Sequence, residues 1–171
     1  MFNQGCATQM APNDPAPPAI TESSSDNPNL VRITNNLGTF EYDRSLAINF
    51  PVGIVGFPDV HEFGLANLPN MPQFNLLQCL AEPRLSFIVL PTDPDTAPID
   101  AEDLKEAADS LGIQKPDLIV MFVITIRTLA PGQGITMSIN HRAPILVDSV
   151  RRIARQFVLS NNKYSVQHVI G

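Results

Sequence analysis

The sequence predicts a small, mostly β domain with one short helix, and three observations predict it. Apolar residues recur at every second position in a series of short segments, which places them on one face of extended strands. Clusters of Gly, Pro and Asn separate those segments, and the 16 Pro with 6% aromatic residues describe a chain of many reversals. A single segment changes to the 3.6-residue period of a helix. The length of 171 residues suits one domain around one core, without disulfides or metals to hold it.

Residues 1–29 hold Pro12, Pro15, Pro17 and Pro18, then a polar run from Thr21 to Asp26, with few large apolar side chains to offset the entropy of ordering. A disordered tail over 1–29 and a folded domain over 30–171 are expected. Residues 31–34 and 39–42 alternate around Asn35, Asn36, Leu37 and Gly38, predicting a first hairpin. Residues 46–50 end at Pro51 and run into a Gly-Ile-Val-Gly-Phe-Pro segment in which Gly53 and Gly56 predict a bend. Further strands are expected at 73–78, 85–90, 118–126 and 135–140. The 118–126 run is apolar and rich in β-branched residues, as a strand buried on both faces must be, and it should pair antiparallel with 135–140 across the loop at 131–134.

The helix is expected at 101–111. Asp100 can cap it, Glu102 and Asp103 suit the positive first turn, and Gly112 can end it. Leu104, Ala107, Ala108 and Leu111 form its apolar stripe, leaving Glu106 and Asp109 to solvent. Residues 149–159 fit two templates: Val150, Ile153, Ala154 and Phe157 also share one face of a helix, so helix and hairpin both stay open.

Charge narrows the function classes. The net charge of −6 repels phosphate backbones, so direct nucleic-acid binding is not expected. The charge is uneven: residues 141–171 carry Arg142, Arg151, Arg152, Arg155 and Lys163 against Asp148 alone, a stretch that could meet an acidic partner. Between Asp93 and Asp109 the balance is reversed, with Lys105 the one cation. Cys6 and Cys79 are too few for a disulfide framework or a zinc site, and a reducing compartment is implied. With no apolar run of membrane-spanning length and no secretory leader pattern, a cytoplasmic protein is expected.

No residue pattern points to catalysis. His61, His141 and His168 lack a Ser or Cys in a nucleophile context. Asp93, Asp95 and Asp100 lack the glycine and terminal Glu of a calcium loop, and the two glycines of the bend lack the rest of a phosphate-binding motif. No metal and no cofactor is expected. What remains is a binding module, its partner unnamed by composition or spacing.

The bend at Gly53-Ile54-Val55-Gly56-Phe57 resembles a signature of the flagellar assembly factor FliW family, and the likeness extends along the chain. Gly38-Thr39-Phe40-Glu41-Tyr42-Asp43 resembles that family's first hairpin, and Phe74 with Leu77-Gln78-Cys79 its Leu-Gln-Ser stretch. Pro83, Leu85-Ser86-Phe87-Ile88-Val89, Leu111-Gly112-Ile113, Asn140-His141-Arg142-Ala143-Pro144-Ile145 and Gln156-Phe157-Val158-Leu159 follow in family order. The resemblance implies a small antiparallel β-barrel-like domain that binds flagellin and, once flagellin is exported, the translational regulator CsrA, which then releases flagellin messenger RNA. It implies a non-catalytic protein, and with no pattern of a coiled-coil seam or a long exposed apolar edge a monomer is expected. An export chaperone that binds flagellin and leaves CsrA alone is the alternative, with an enzyme built around His141 or His61 a more distant one.

The residues nominated by the resemblance for partner binding are Gly53, Gly56 and Phe57 in the bend, with Gln78, Asn140, Arg142 and Pro144. The competing reading has the glycines shape the turn and the others fix the barrel. The sequence departs from the family pattern at His141, where Leu is usual, at Asp148, where Asn is common, and at Ala154, which replaces a glycine. No aromatic residue precedes the acidic helix. The resemblance favours the hairpin at 149–159.

Overall fold

The computed structural model describes residues 18–22 and 27–170. In chain order the elements are β1 (Ala19–Glu22), β2 (Leu30–Asn35), β3 (Gly38–Asp43), β4 (Ile48–Asn49), β5 (Glu62–Asn67), β6 (Asn75–Cys79) and β7 (Ser86–Thr92). They continue with α1 (Ala101–Ser110), β8 (Leu118–Thr128), β9 (Ile135–Ile139), β10 (Ile145–Asp148), β11 (Ile153–Gln156) and β12 (His168–Val169).

Strands β4 to β8 are antiparallel neighbours in sequence order. β8 then pairs with β10, β10 with β11, and β11 returns in parallel to β4, closing a barrel. β8 is long enough to serve two partners: its first half pairs with β10 and its second with β9, so β9 branches off the barrel with β12 on its outer edge. Strands β1, β2 and β3 form a separate sheet packed on the wall, where Val31, Ile33 and Tyr42 meet Leu80.

The apolar run of β8 is explained by its position. Met121 points into the barrel with Phe50, Phe63, Leu77, Cys79, Val89, Ile145 and Val147, while Leu118, Val120, Phe122 and Ile124 point outward under α1 and the C-terminal loops. A strand buried on both faces has no polar face to show. Phe50 and Phe63 meet edge to face in the barrel at 4.9 Å between centroids.

Local chemistry sets the reversals. The β2–β3 hairpin turns over Asn36 and Leu37, with Gly38 at φ +135° and the Asn35 side chain accepting from the Leu37 N–H (2.8 Å). Pro91 sits in β7 past its last β6 partner, where no ladder donor is required on that side. α1 buries Leu104, Ala107 and Ala108, and Gly112 follows it at φ +65°.

Expectations from the sequence need correction at several points. The tail expected over 1–29 contains β1, which pairs with β2 over Ala19 to Glu22; residues 1–17 and 23–26 of that tail lie outside the described residues. Asp100 holds the N-cap position without capping, because its carboxylate is drawn away to the Lys163 ammonium. The segment at 46–50 is a strand only at Ile48–Asn49, behind a short 3₁₀ turn. The hairpin favoured at 149–159 is present: β10 and β11 pair across a turn at 149–152, in which Arg152 takes φ +53°. Ala154 then sits wholly inside the barrel.

Candidate functional site

The bend is a two-residue reversal. Ile54 and Phe57 exchange backbone hydrogen bonds (N–H to O 3.2 and 2.7 Å), leaving Val55 and Gly56 at the tip. Gly56 has φ +91°, the positive value that a type II turn places at its third residue. Gly53 has φ +68°, and a Cβ there would lie 2.2 Å from the Phe57 carbonyl oxygen and 2.7 Å from the Pro58 backbone. Both glycines are thus required by the backbone itself. The turn sends Ile54 into the barrel and lifts Val52, Val55 and Phe57 to the surface, where they are 53%, 65% and 41% exposed.

The loop from Asn140 to Pro144 is held from inside. Asn140 Oδ1 accepts from the Arg142 and Ala143 N–H groups (both 3.1 Å), the Arg142 guanidinium donates to Asn162 Oδ1 (2.7 Å), and the Arg142 carbonyl accepts from the Leu159 N–H (2.9 Å). Pro144 is buried and its carbonyl accepts from the Phe157 N–H (2.9 Å).

One side chain that the sequence did not single out joins this loop to the bend. Gln156 on β11 accepts from the Val55 N–H through Oε1 (3.0 Å) and donates from Nε2 to the Ala143 carbonyl (3.1 Å). Its position two residues after Ala154 on a β strand was the available signal, since alternation turns it to the same side as that buried alanine.

Gln78 lies elsewhere and is fully buried. Its Oε1 accepts from Asn35 Nδ2 (2.8 Å), and its Nε2 lies within donating distance of the Cys79, Glu82 and Leu85 carbonyls (3.0, 3.2 and 3.0 Å). The side chain therefore ties the β2–β3 hairpin and the β6–β7 turn to the barrel, and no atom of it faces solvent. Of the nominated residues, Gly56 and Phe57 are exposed and Arg142 is half-buried, while Gln78 and Pro144 are buried.

The outer face of α1 is acidic. Glu102, Glu106 and Asp109 are exposed there, and Asp93 and Asp95 lie before it in the chain. Lys105 pairs with Asp109 and Lys115 with Asp95, leaving Glu102 and Glu106 without an ion pair among the described residues. The C-terminal chain clamps the start of this helix. Tyr164 Oη donates to Asp103 Oδ2 (2.5 Å) and accepts from the Asp100 N–H (3.0 Å), with Lys163 against Asp100 and Asp103. The Tyr164 hydrogen bond, helped by Lys163, lowers the Asp103 carboxyl from its ordinary range.

The histidines do not assemble into a catalytic pair. His61 Nδ1 contacts the Phe50 carbonyl (2.8 Å), and the His141 ring stacks on His168 (4.8 Å) with its other contact the Phe122 ring. Burial, reinforced by His168, depresses the His141 pKa. Among the described residues no cluster of three or more His, Cys, Asp or Glu is placed to hold a metal, and no helix is long and apolar enough to cross a membrane.

Comparison with known proteins agrees with this architecture. The sequence pattern of the family described as FliW protein matches residues 32–170. The flagellar assembly factor FliW of Oceanobacillus iheyensis is 31% identical over 136 residues, covering 77% of this chain and 87% of that protein. The flagellar assembly factor FliW of Moorella thermoacetica is 32% identical over 139 residues, covering 80% and 85%. A crystal structure of the flagellar assembly factor FliW superposes with a TM-score of 0.61 at 26% identity, covering 81% of this chain and 95% of that one. With the family pattern matched over residues 32–170 and relatives above 30% identity over more than two thirds of the chain, the chain belongs to the FliW family.

Proposed function

We propose that this chain serves flagellar assembly as a cytoplasmic monomer that exchanges two protein partners, flagellin and the translational regulator CsrA. While flagellin accumulates it occupies the chain; once flagellin is exported, CsrA takes its place and is withdrawn from flagellin messenger RNA. Flagellin supply then sets flagellin translation with no bond made or broken.

The observation that carries the reading is the acidic outer face of α1, with Glu102 and Glu106 exposed and without an ion pair among the described residues. An RNA-binding protein presents basic surface, and opposed potentials speed encounter and fix orientation. A chain with a net charge of −6 adds long-range attraction to that local one. The exposed bend residues Val55 and Phe57, together with Arg142, are proposed as further contacts.

Calorimetric titration with purified flagellin and purified CsrA tests it. Micromolar or tighter binding to each, with either partner reducing binding of the other, is expected. The double substitution Glu102→Lys, Glu106→Lys should weaken CsrA binding about tenfold or more at low salt, with a smaller effect at high salt. Binding of flagellin alone would leave an export chaperone, and binding of neither would remove the proposal.

A further inference from the structure

A second surface differs from the acidic one in sign and shape. Between the bend, the end of α1 and the β10–β11 hairpin lies a cleft of about 260 Å³. Pro51, Val52, Leu111 and Ile153 line it together with Asp148, Arg151 and Arg155. Val52 and Ile153 are 53% and 40% exposed, so the cleft presents branched aliphatic surface to solvent.

The arginines of this cleft are not equivalent. Arg151 is committed: its Nε donates to Asp148 Oδ2 (2.6 Å) and its Nη2 to the Gly112 carbonyl (2.7 Å). Arg142 is held by Asn162, Arg152 by the Ser45 carbonyl, and Lys163 by Asp100 and Asp103. Of the five cationic side chains from Arg142 to Lys163, that of Arg155 alone has no hydrogen bond or ion pair among the described residues. It is exposed, on the same strand as Ile153, and two residues from it, so both side chains leave the same face of β11.

An uncommitted guanidinium beside an apolar concavity has a defined complement: a carboxylate, which it can grip with two parallel hydrogen bonds, next to an aliphatic or aromatic side chain that fills the cleft. We infer that this cleft receives flagellin, through a segment in which an acidic residue neighbours a large apolar one. The assignment rests on the two-partner reading above. Charge decides between the two partners: a basic RNA-binding protein is repelled by Arg155 and attracted by α1, whereas a carboxylate-bearing segment is attracted here and repelled there. Arginine is also among the residues that most often carry interface energy when surrounded by apolar contacts.

The test compares four full-length chains by calorimetric titration with purified flagellin and, separately, purified CsrA: wild type, Arg155→Glu, Val52→Asp, and the Glu102→Lys, Glu106→Lys chain. Thermal melts establish that each is folded; both cleft substitutions lie on exposed side chains. Arg155→Glu should weaken flagellin binding at least tenfold and Val52→Asp by a similar factor, with CsrA affinity unchanged within about twofold, each tenfold step being about 1.4 kcal/mol. The α1 variant should show the opposite pattern. Wild-type flagellin binding that both cleft substitutions leave intact overturns the assignment alone. A wild-type chain that binds no flagellin overturns the two-partner reading and the assignment together.

Discussion

Gln156 offers the sharpest test of how the candidate site is held, because its two ends reach two separate segments. In Gln156→Ala the Val55 N–H and the Ala143 carbonyl both lose their partner. The costs are unequal. Val55 is 65% exposed, so its N–H can turn to water and the net loss is about 1 kcal/mol. Ala143 is 8% exposed, and its stranded carbonyl carries most of a desolvation penalty, about 1–2 kcal/mol. The sum, about 2–3 kcal/mol, lowers a urea midpoint by about 1 M for a slope near 2 kcal/mol/M.

Global stability alone would not identify the cause, so the decisive readout is amide exchange at Val55. Its N–H should lose protection by more than the fall in global stability accounts for, while core amides such as that of Val120 follow the global change only. Gln156→Glu separates the two ends. A carboxylate still accepts from Val55 but faces the Ala143 oxygen without a proton to offer. Protonation restores the donor, so the folded-state pKa of the new carboxyl is raised. Its stabilising contribution is present below the unfolded value of about 4.3 and lost as pH rises through the folded value. The stability gap to wild type should therefore narrow between pH 7 and pH 4. Unchanged Val55 protection in Gln156→Ala, or a gap that widens on acidification, would refute the linkage.

Two further outcomes follow from the packing. Gly64→Ala places a Cβ 2.2 Å from Tyr42 Cδ1 and 2.8 Å from Cγ, so the ring must leave its buried seat; a loss of about 3 kcal/mol is expected in urea unfolding, largely abolished when Tyr42 is already Ala. The depressed His141 pKa means that its neutral form is favoured on folding, a contribution present above about pH 6.5 and lost as pH falls through the folded value; amides of β12, which carries His168, should lose protection on acidification, and His141→Phe should remove that dependence.

Gly64 also shows why part of the fold was hidden in the sequence. Residues 62–67 were not expected as a strand, because a glycine in the middle of Glu-Phe-Gly-Leu-Ala-Asn weakens the pattern. The structure supplies the reason for the glycine: Tyr42 from the neighbouring sheet occupies the space of its Cβ. β12 was missed for a related reason, since two residues on a sheet edge carry no periodicity. By contrast β8 was legible because burial on both faces leaves an uninterrupted apolar run, and the stripe of α1 because Leu104, Ala107 and Ala108 pack where their spacing puts them. Among nominated site residues the turn glycines were legible as backbone requirements. Gln78 was not, because a polar side chain on a strand looks the same in sequence whether it faces a partner or the Asn35 amide and the carbonyls of Cys79, Glu82 and Leu85.

The two surfaces proposed for partners are joined by α1. Glu106 lies on its acidic face, and Leu111, at the wall of the Arg155 cleft, follows five residues later, a rise of about 7.5 Å along the helix. A stable protein–protein contact covers about 800 Å² on each side, a patch roughly 30 Å across. Two such footprints that both extend over α1 would overlap. Exchange between an acidic-face partner and a cleft partner then needs no conformational change in the barrel and no shared contact residue. It requires only that both bodies claim the space over the same ten-residue helix, with opposite charge preference deciding which surface each one reaches first.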